Sequence, residues 1–422
     1  HWACTVCSKI PEWQDALYRG DYKEAYEVLT STNSFPEFTG RVCPALCEKS
    51  CVLNIHNEPV TIRENECAII EKAFELGLVE PRIPLKRTGK KVAVIGSGPA
   101  GLSVADLLNQ MGHSVTVYEA EDAIGGLLRY GIPDFKLQKS VIDRRQRLME
   151  AEGIEFVVNT KVGVTISYEE INQKFDAVSL AIGAMVPRDL PAPGRELDGV
   201  HYAMDFLRQQ NKLVRGIKIS DDERLTAEGK NVLVIGGGDT GSDCVGTSVR
   251  QKALSVTQIE IMPKPPVVRE DTNPWPYWPN TLRTSSSHKE GCERRWSLTT
   301  KRFIGENGKV TGAEVVQVEW KKDETGRMQM VEVPGTTEII KAELILLSMG
   351  FVHPEHDGLL KNMGVDLDPR GNVKTAGNNA TQTSDPKVFA CGDARSGASL
   401  VVRAIDNGRL SAKQINAFLM GN

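Results

Sequence analysis

The sequence predicts an α/β protein with two Rossmann-like dinucleotide-binding domains, the second inserted in the first, behind a small helical segment. Three observations carry this expectation. A strand, glycine turn, helix and strand occur in succession twice, with their first glycines at Gly96 and Gly236. A short strand ending in Cys391-Gly392-Asp393 lies near the C-terminus, just before a helical stretch. Five of the nine cysteines fall within the first 51 residues. A repeated nucleotide-binding unit is a far stronger signal than a single motif.

Composition bounds what such a chain does. Its 422 residues exceed one ordinary domain. With 40% hydrophobic and 25% charged residues, wholesale disorder is excluded. No apolar run reaches the eighteen or so residues of a membrane span. A net charge of −4 argues against a dedicated nucleic-acid binder or a polybasic membrane anchor. The chain starts at His1 with no basic-then-apolar signal segment, so it reads as a fragment or processed product, and the expected location is cytoplasmic.

In chain order, Pro11 to Leu17, Tyr22 to Leu29 and Asn65 to Leu78 carry helical patterns, the last ending at Gly77 ahead of Pro81 and Pro84. Lys91 to Ile95 is an apolar strand, followed by Gly96-Ser97-Gly98-Pro99-Ala100-Gly101, a helix to Met111, and a strand Ser114 to Tyr118 closed by Glu119. The repeat runs from Asn231 to Ile235, through Gly236-Gly237-Gly238-Asp239-Thr240-Gly241 and a helix, to a strand Val256 to Ile259 closed by Glu260. From first glycine to acidic residue is 23 positions in one copy and 24 in the other. Asn273 to Pro279, rich in Pro and Trp, reads as a rigid packed loop.

The glycine turn suits a dinucleotide because the pyrophosphate must approach bare backbone at a helix N-terminus, where unpaired N–H groups and the helix dipole favour an anion. Gly96, Gly98 and Gly101 hold the demanding positions of the first copy, with Pro99 and Ala100 between them, and Glu119 is placed to accept from a ribose. Gly236, Gly238 and Gly241, with Asp239 and Thr240, form the second. An aspartate such as Asp393, after Gly392 at a strand end, suits the ribityl chain of a flavin, and the next helix N-terminus suits the reduced ring. A flavin site divided between the first unit and the C-terminal segment makes the second unit the inserted one. There Glu260 suits a ribose diol and repels a 2′-phosphate, whereas Lys264 and Arg269 just beyond suit that phosphate. The balance leans to NADH.

An odd number of cysteines without a secretory signal argues for metal or free thiols rather than a disulfide framework. Cys43, Cys47 and Cys51 recur every four residues, and Cys4 and Cys7 form a C-x-x-C, consistent with metal–sulfur chemistry or a structural zinc. Cys67, Cys244, Cys292 and Cys391 read as buried small hydrophobes. Disulfide reduction is not expected, since the nicotinamide unit offers only Cys244 and Cys292, without neighbours at the right spacing.

The chain resembles the small (β) subunits of glutamate synthase, two-dinucleotide-binding flavoproteins. The matching stretches are Ile10 to Trp13, Phe35 to Pro44, Gly125 to Pro133, Gly236 to Gly241, Asn273 to Pro276 and Phe389 to Asp393, and the likeness covers essentially the whole chain. The resemblance implies FAD in the first unit, NADH or NADPH in the inserted one, and [4Fe–4S] clusters, two in the family, held with the N-terminal segment. It implies domains at 1–85 (helical, iron–sulfur, ferredoxin-like), 86–220 (first part of the FAD domain), 221–345 (NAD(P)H domain) and 346–422 (second part of the FAD domain). It also implies that Cys4, Cys43 and Cys47 share one cluster, with Glu66 at the position of a non-cysteine ligand, and that Cys51 serves the other cluster with cysteines upstream of Cys4. Cys7 sits where the family has no ligand. Gly126, Leu127 and Arg129 fall in the stretch to Pro133 expected to wall flavin from cluster; Arg129 and Lys136 are candidates for stabilising anionic flavin or phosphate.

The expected function is therefore electron input. NAD(P)H reduces FAD, and electrons pass through iron–sulfur to a large subunit that bears FMN and iron–sulfur and makes glutamate from glutamine and 2-oxoglutarate. The alternatives are a stand-alone or differently partnered NAD(P)H:ferredoxin-type module, and a non-catalytic domain binding nucleotide and zinc. Five N-terminal cysteines and Glu66 make six candidate ligands, short of the eight that two four-ligand clusters need. One cluster at most is expected on this chain by itself.

Overall fold

A computed structural model describes residues 3–421; His1, Trp2 and Asn422 lie outside the described residues. Fourteen strands follow one another among them: β1 Lys91–Ile95, β2 Ser114–Tyr118, β3 Glu155–Val157, β4 Ala177–Leu180, β5 Val200–Tyr202, β6 Asn231–Ile235, β7 Ser255–Glu260, β8 Glu293–Trp296, β9 Leu298–Glu306, β10 Lys309–Lys322, β11 Met328–Glu332, β12 Glu338–Lys341, β13 Leu344–Leu347 and β14 Val388–Ala390. They build two five-stranded parallel sheets, ordered β14-β4-β1-β2-β3 and β5-β13-β6-β7-β8. Because β14 closes the first sheet after the whole second sheet has been laid down, the second unit is an insertion in the first, as the sequence predicts.

Strands β1, β4 and β14 of the first sheet are nearly continuous apolar runs, as strands covered on both faces must be: Val92, Ala93, Val94, Val178 and Leu180 are fully buried. Helices Pro99–Gln110 and Val401–Met420 pack against one another so tightly that a Cβ on Gly408 would stand 2.3 Å from the Ala100 carbonyl oxygen. Ser103 reinforces the contact by donating to the Ile405 carbonyl at 2.9 Å.

The second unit recruits more chain than expected. β5 pairs in parallel with β13, and Phe206 and Leu207 of helix Ala203–Val214 share a core with Val232, Val234 and Cys244, so this unit draws on residues well before 221. A group of antiparallel strands, β9 to β12, was not expected; β10 pairs with β9, β11 and β12. The two units are joined by a crossing of Val186 with Val352 and His353, through reciprocal backbone bonds at 2.8 and 3.1 Å. Arg208 and Lys212 also reach back to Glu121, and Arg215 to Asp122.

Helices Ile10–Tyr18, Tyr22–Thr32, Pro36–Val42, Leu46–Lys49 and Ile62–Glu75 form the N-terminal segment. Trp13, Ala16, Ala25, Leu29 and Ile69 make its own core. The last of these helices spans Glu66 and runs from Ile62 to Glu75, earlier than the expected Asn65 to Leu78. Helix Lys139–Ala151 fastens this segment to the first unit with two arginines. Arg145 donates its Nε to Glu37, both side chains buried, and Arg144 grips Glu71 with both terminal nitrogens at 2.6 and 2.8 Å while lying 3.6 Å over the Phe74 ring.

Candidate cofactor sites

Each glycine turn contains one glycine that the protein itself does not require. A Cβ on Gly96 (φ +101°) would meet the Ala181 carbonyl oxygen at 2.4 Å, and one on Gly101 would meet the Gly96 oxygen at 2.0 Å. Gly98, between them, has an ordinary φ of −65°, and nothing lies within 4 Å of where its Cβ would be. The second turn repeats this. Gly236 would strike Ser348 O at 2.3 Å and Gly241 would strike Gly236 O at 2.4 Å, while Gly238 (φ −77°) again faces open space. Packing explains four of the six glycines at the fingerprint positions, Gly237 of the second turn aside. The other two sit at the N-termini of helices Pro99–Gln110 and Asp239–Arg250, where a Cβ would obstruct an approaching pyrophosphate.

Around the first turn the remaining groups converge. Glu119 Oε2 accepts from the Ser97 amide at 3.1 Å and from the Ser97 hydroxyl, and its Oε1 accepts from the Glu121 amide at 2.9 Å. Gly126 (φ +51°) comes so close that its Cβ would meet Gly98 Cα at 2.9 Å, and Leu127 begins the short helix Leu127–Tyr130 beside it. Gly392 (φ +63°) would likewise meet the Ala100 Cβ at 2.7 Å. Asp393, whose carboxyl is pushed up to about 6 by burial, accepts from the Ser399 hydroxyl at 2.8 Å, just ahead of helix Val401–Met420. Two helix N-termini, an open glycine and a half-buried aspartate thus frame one cradle, which fits a flavin dinucleotide.

Arg129 and Lys136 have other partners. Arg129, 1% exposed, donates to the Ile124 carbonyl and to Asp143 at 2.6 Å, and Lys136 pairs with Asp243 of the second unit.

In the second unit Glu260 folds over the turn, its Oε2 placed 2.0 Å from a Cβ on Gly237. Asp239 and Thr240 open the helix and Asp239 is exposed. Lys264 lies 5.1 Å above the Trp296 ring, whereas Arg269 donates to the Asn273 and Tyr277 carbonyls at 3.1 and 2.8 Å. Arg269 therefore fastens the Pro/Trp loop. Sequence reading missed Arg294, 5.0 Å from the same Trp296 ring, and Arg283, 3.8 Å over Trp278. It also missed a network beneath the turn. Gln258 donates to the Gly236 carbonyl at 2.8 Å and bonds His288 Nε2 at 2.9 Å, and Ser285 links His288 Nδ1 to Ser242 at 3.1 and 2.6 Å. Burial lowers His288 to about 4, keeping the ring neutral so that one nitrogen donates while the other accepts.

Cys4, Cys43, Cys47 and Glu66 line one cavity together with Asn33, Thr39 and Val402. Burial raises all three thiols, Cys43 to about 12, and lifts the Glu66 carboxyl to about 7. Asn33 donates to Glu66 Oε1 at 2.8 Å, and the Thr39 hydroxyl donates to the same oxygen. No cationic side chain is among the described residues lining the cavity, so these acids ionise together only with a metal to balance them. Among the described residues, no three Cys, His, Asp or Glu side chains converge as a single ion would require. Donors spread around a cavity wall fit a cluster, whose ligands bind separate irons. Cys51 does not line the cavity; it precedes the short helix Val52–Ile55. Cys7 is exposed, its sulfur 3.8 Å from the Thr5 carbonyl. No residue from Gly126 to Pro133 lines the cavity, while Leu128 and Ile132 belong to the core against which Cys4 and Cys43 pack.

Comparison with known proteins gives two matches along the chain. Residues 90–408 match the pyridine nucleotide-disulphide oxidoreductase family, and residues 1–78 match dihydropyrimidine dehydrogenase domain II, 4Fe-4S cluster. The glutamate synthase [NADPH] small chain of Mycobacterium tuberculosis is 49% identical over 428 residues, covering 100% of this chain and 86% of that one. The Bacillus subtilis glutamate synthase [NADPH] small chain is 48% identical, covering 99% and 86%. Glutamate synthase [NADH] of Saccharomyces cerevisiae is 47% identical over 99% of this chain, which spans 20% of that protein. Among solved structures, Mycobacterium tuberculosis FprA in complex with NADPH superposes with a TM-score of 0.61 at 19% identity, covering 79% of this chain and 85% of that one. That likeness bears on the fold alone. The chain belongs to the glutamate synthase small-chain family, within the pyridine nucleotide-disulphide oxidoreductases.

Proposed function

We propose that this protein is the electron-input subunit of a glutamate synthase: an NAD(P)H-dependent flavin oxidoreductase, with FAD and a [4Fe–4S] cluster, that delivers electrons to a large subunit bearing FMN and iron–sulfur. When bound, FAD accepts a hydride from the nicotinamide and releases electrons singly, and the cluster carries them on. The chain's own residues bind and orient. Gly96, Gly98 and Gly101, with the N–H groups after Pro99, cradle the FAD pyrophosphate, Glu119 receives a ribose, and Asp393 receives the ribityl chain. Gly236, Gly238 and Gly241 cradle the nicotinamide nucleotide. Cys4, Cys43 and Cys47, with Glu66, hold the cluster.

The observation that carries this reading is the pair Gly98 and Gly238, two glycines facing open space at equivalent helix N-termini in interleaved units. A cytoplasmic location fits nine cysteines that form no disulfide among the described residues, none of whose helices is long and apolar enough to cross a membrane. Anaerobic addition of NAD(P)H should bleach both flavin and iron–sulfur absorbance, and a large chain should co-purify. Glutamine-dependent glutamate formation by the pure chain would overturn the reading. The half-free carboxylate of Glu260 over Gly237 favours NADH. Steady-state kinetics with both nucleotides decide it, and a large NADPH advantage would assign the cluster of Lys264 and Arg294 to a 2′-phosphate instead.

A further inference from the structure

The cysteine cavity and the flavin cradle meet at the start of one helix. Ser399, on the cradle side, donates its hydroxyl to Asp393 at 2.8 Å. Val402, the second residue of helix Val401–Met420, lines the cavity with Cys4, Cys43, Cys47 and Glu66. Three residues of chain join these positions, a span of at most about 11 Å if fully extended and less in a helical turn. Among the described residues lining the cavity, Val402 is the only one from outside the N-terminal segment. It is 3% exposed and belongs to the same core as Leu102 and Cys391, and Cys4, Cys43, Leu400 and Val401 pack against that core. The junction is fixed from both sides. Arg409 of the same helix donates to Ser34 Oγ at 3.1 Å and to the Ser31 carbonyl at 3.0 Å, and Glu37, three residues after Ser34, is held by Arg145 of helix Lys139–Ala151.

We infer that Val402 is a positioning residue for electron passage, the side chain that fills the gap between flavin and cluster. The inference rests on the reading of the two sites given above. An electron crosses packed atoms more readily than an empty or wet gap. A β-branched side chain in a helix holds essentially one rotamer, so it fills that gap in a fixed way. Each hydride brings two electrons and a proton to the flavin. The electrons then cross singly, and the proton is released to water.

The test is anaerobic stopped-flow reduction of the full-length protein by NAD(P)H, with ferricyanide as final acceptor (two per hydride). Flavin bleaching is followed as the first phase, and cluster bleaching, checked by low-temperature EPR, as the second. Val402→Ala should slow the second phase several-fold with iron and sulfide content intact and the first phase unaltered, and Val402→Ile, which refills the gap, should restore it. An unchanged second phase in iron-replete Val402→Ala overturns the inference and leaves the functional reading standing. Loss of iron from Val402→Ala but not from Val402→Ile also overturns it, assigning Val402 to sealing the cavity. A wild-type protein whose flavin bleaches while its cluster stays oxidised removes the functional reading and the inference together.

Discussion

At Gly98 a Cβ would meet nothing of the protein within 4 Å, and at Gly101 it would meet backbone at 2.0 Å. Gly98→Val should therefore cost no more than about 1 kcal/mol, the scale of losing a favoured N-cap residue, while FAD is lost on gel filtration. Gly101→Val should destabilise the protein with or without flavin. Gly238→Val should spare FAD and remove nicotinamide binding; loss of the same cofactor from both variants would mean that the two units have been assigned wrongly. Lys139 offers a different residue-scale test. Its ammonium is buried against the carbonyls of Leu128, Ile132 and Leu137, and burial lowers it to about 8. Unfolded, it returns to its ordinary value of 10.5. Between about 8 and 10.5 the unfolded chain binds the extra proton, so this group makes stability rise with pH across that window and leaves it flat below. Urea midpoints from pH 7 to 10 should show that rise in the wild type and lose it in Lys139→Met.

Helix Lys139–Ala151 gives the prediction at the scale of elements. Glu37 is fully buried and Arg145 is 4% exposed at the side chain, so Glu37→Gln leaves an uncompensated cation and should cost about 3–5 kcal/mol. The loss should appear as protease cleavage near residues 79–90, where the chain leaves the helical segment. The paired change Glu37→Leu with Arg145→Met should recover most of it. Elements of this kind differ in how far sequence reveals them. Both glycine turns were legible because strand, turn, helix and acidic residue lie within one local stretch. β11 was not, since all five of its residues are exposed and no alternation marks it; only its pairing with β10 makes it a strand. The His288 network escaped for a related reason. Its members, Gln258, Ser285 and Ser242, are brought together by tertiary folding, and none is unusual in its own segment. Arg129 was legible as a special residue in a special loop, but its partner Asp143 lies on the next helix, and that contact alone shows which way the guanidinium points.

For the molecule as a whole, the cysteine geometry sets a stoichiometry. Three thiols and Glu66 share the cavity, while Cys51 and Cys7 stand apart from it. This chain by itself should therefore carry about four irons per FAD by iron and acid-labile sulfide analysis, the content of one cluster. About eight would mean that ligands outside the cavity complete a second cluster, and bound zinc without iron would favour a structural metal.

The interleaving of the first sheet also has a consequence for biogenesis. β1 begins at Lys91, but its sheet is not closed until β14, which begins at Val388, 297 residues later. At ribosomal speeds of roughly 5–20 residues per second, that interval lasts about 15–60 s. From the synthesis of β4 onward its edge has no partner, and the apolar face of helix Pro99–Gln110 waits for helix Val401–Met420. The nascent chain thus carries an open strand edge and a bare helix face, both of which attract chaperones or other nascent chains. The flavin cradle matures at the same late moment, because Asp393 leaves the ribosome only after β14. Translation products that stop short of residue 393 should reach the cell without flavin, however well their N-terminal helices have folded.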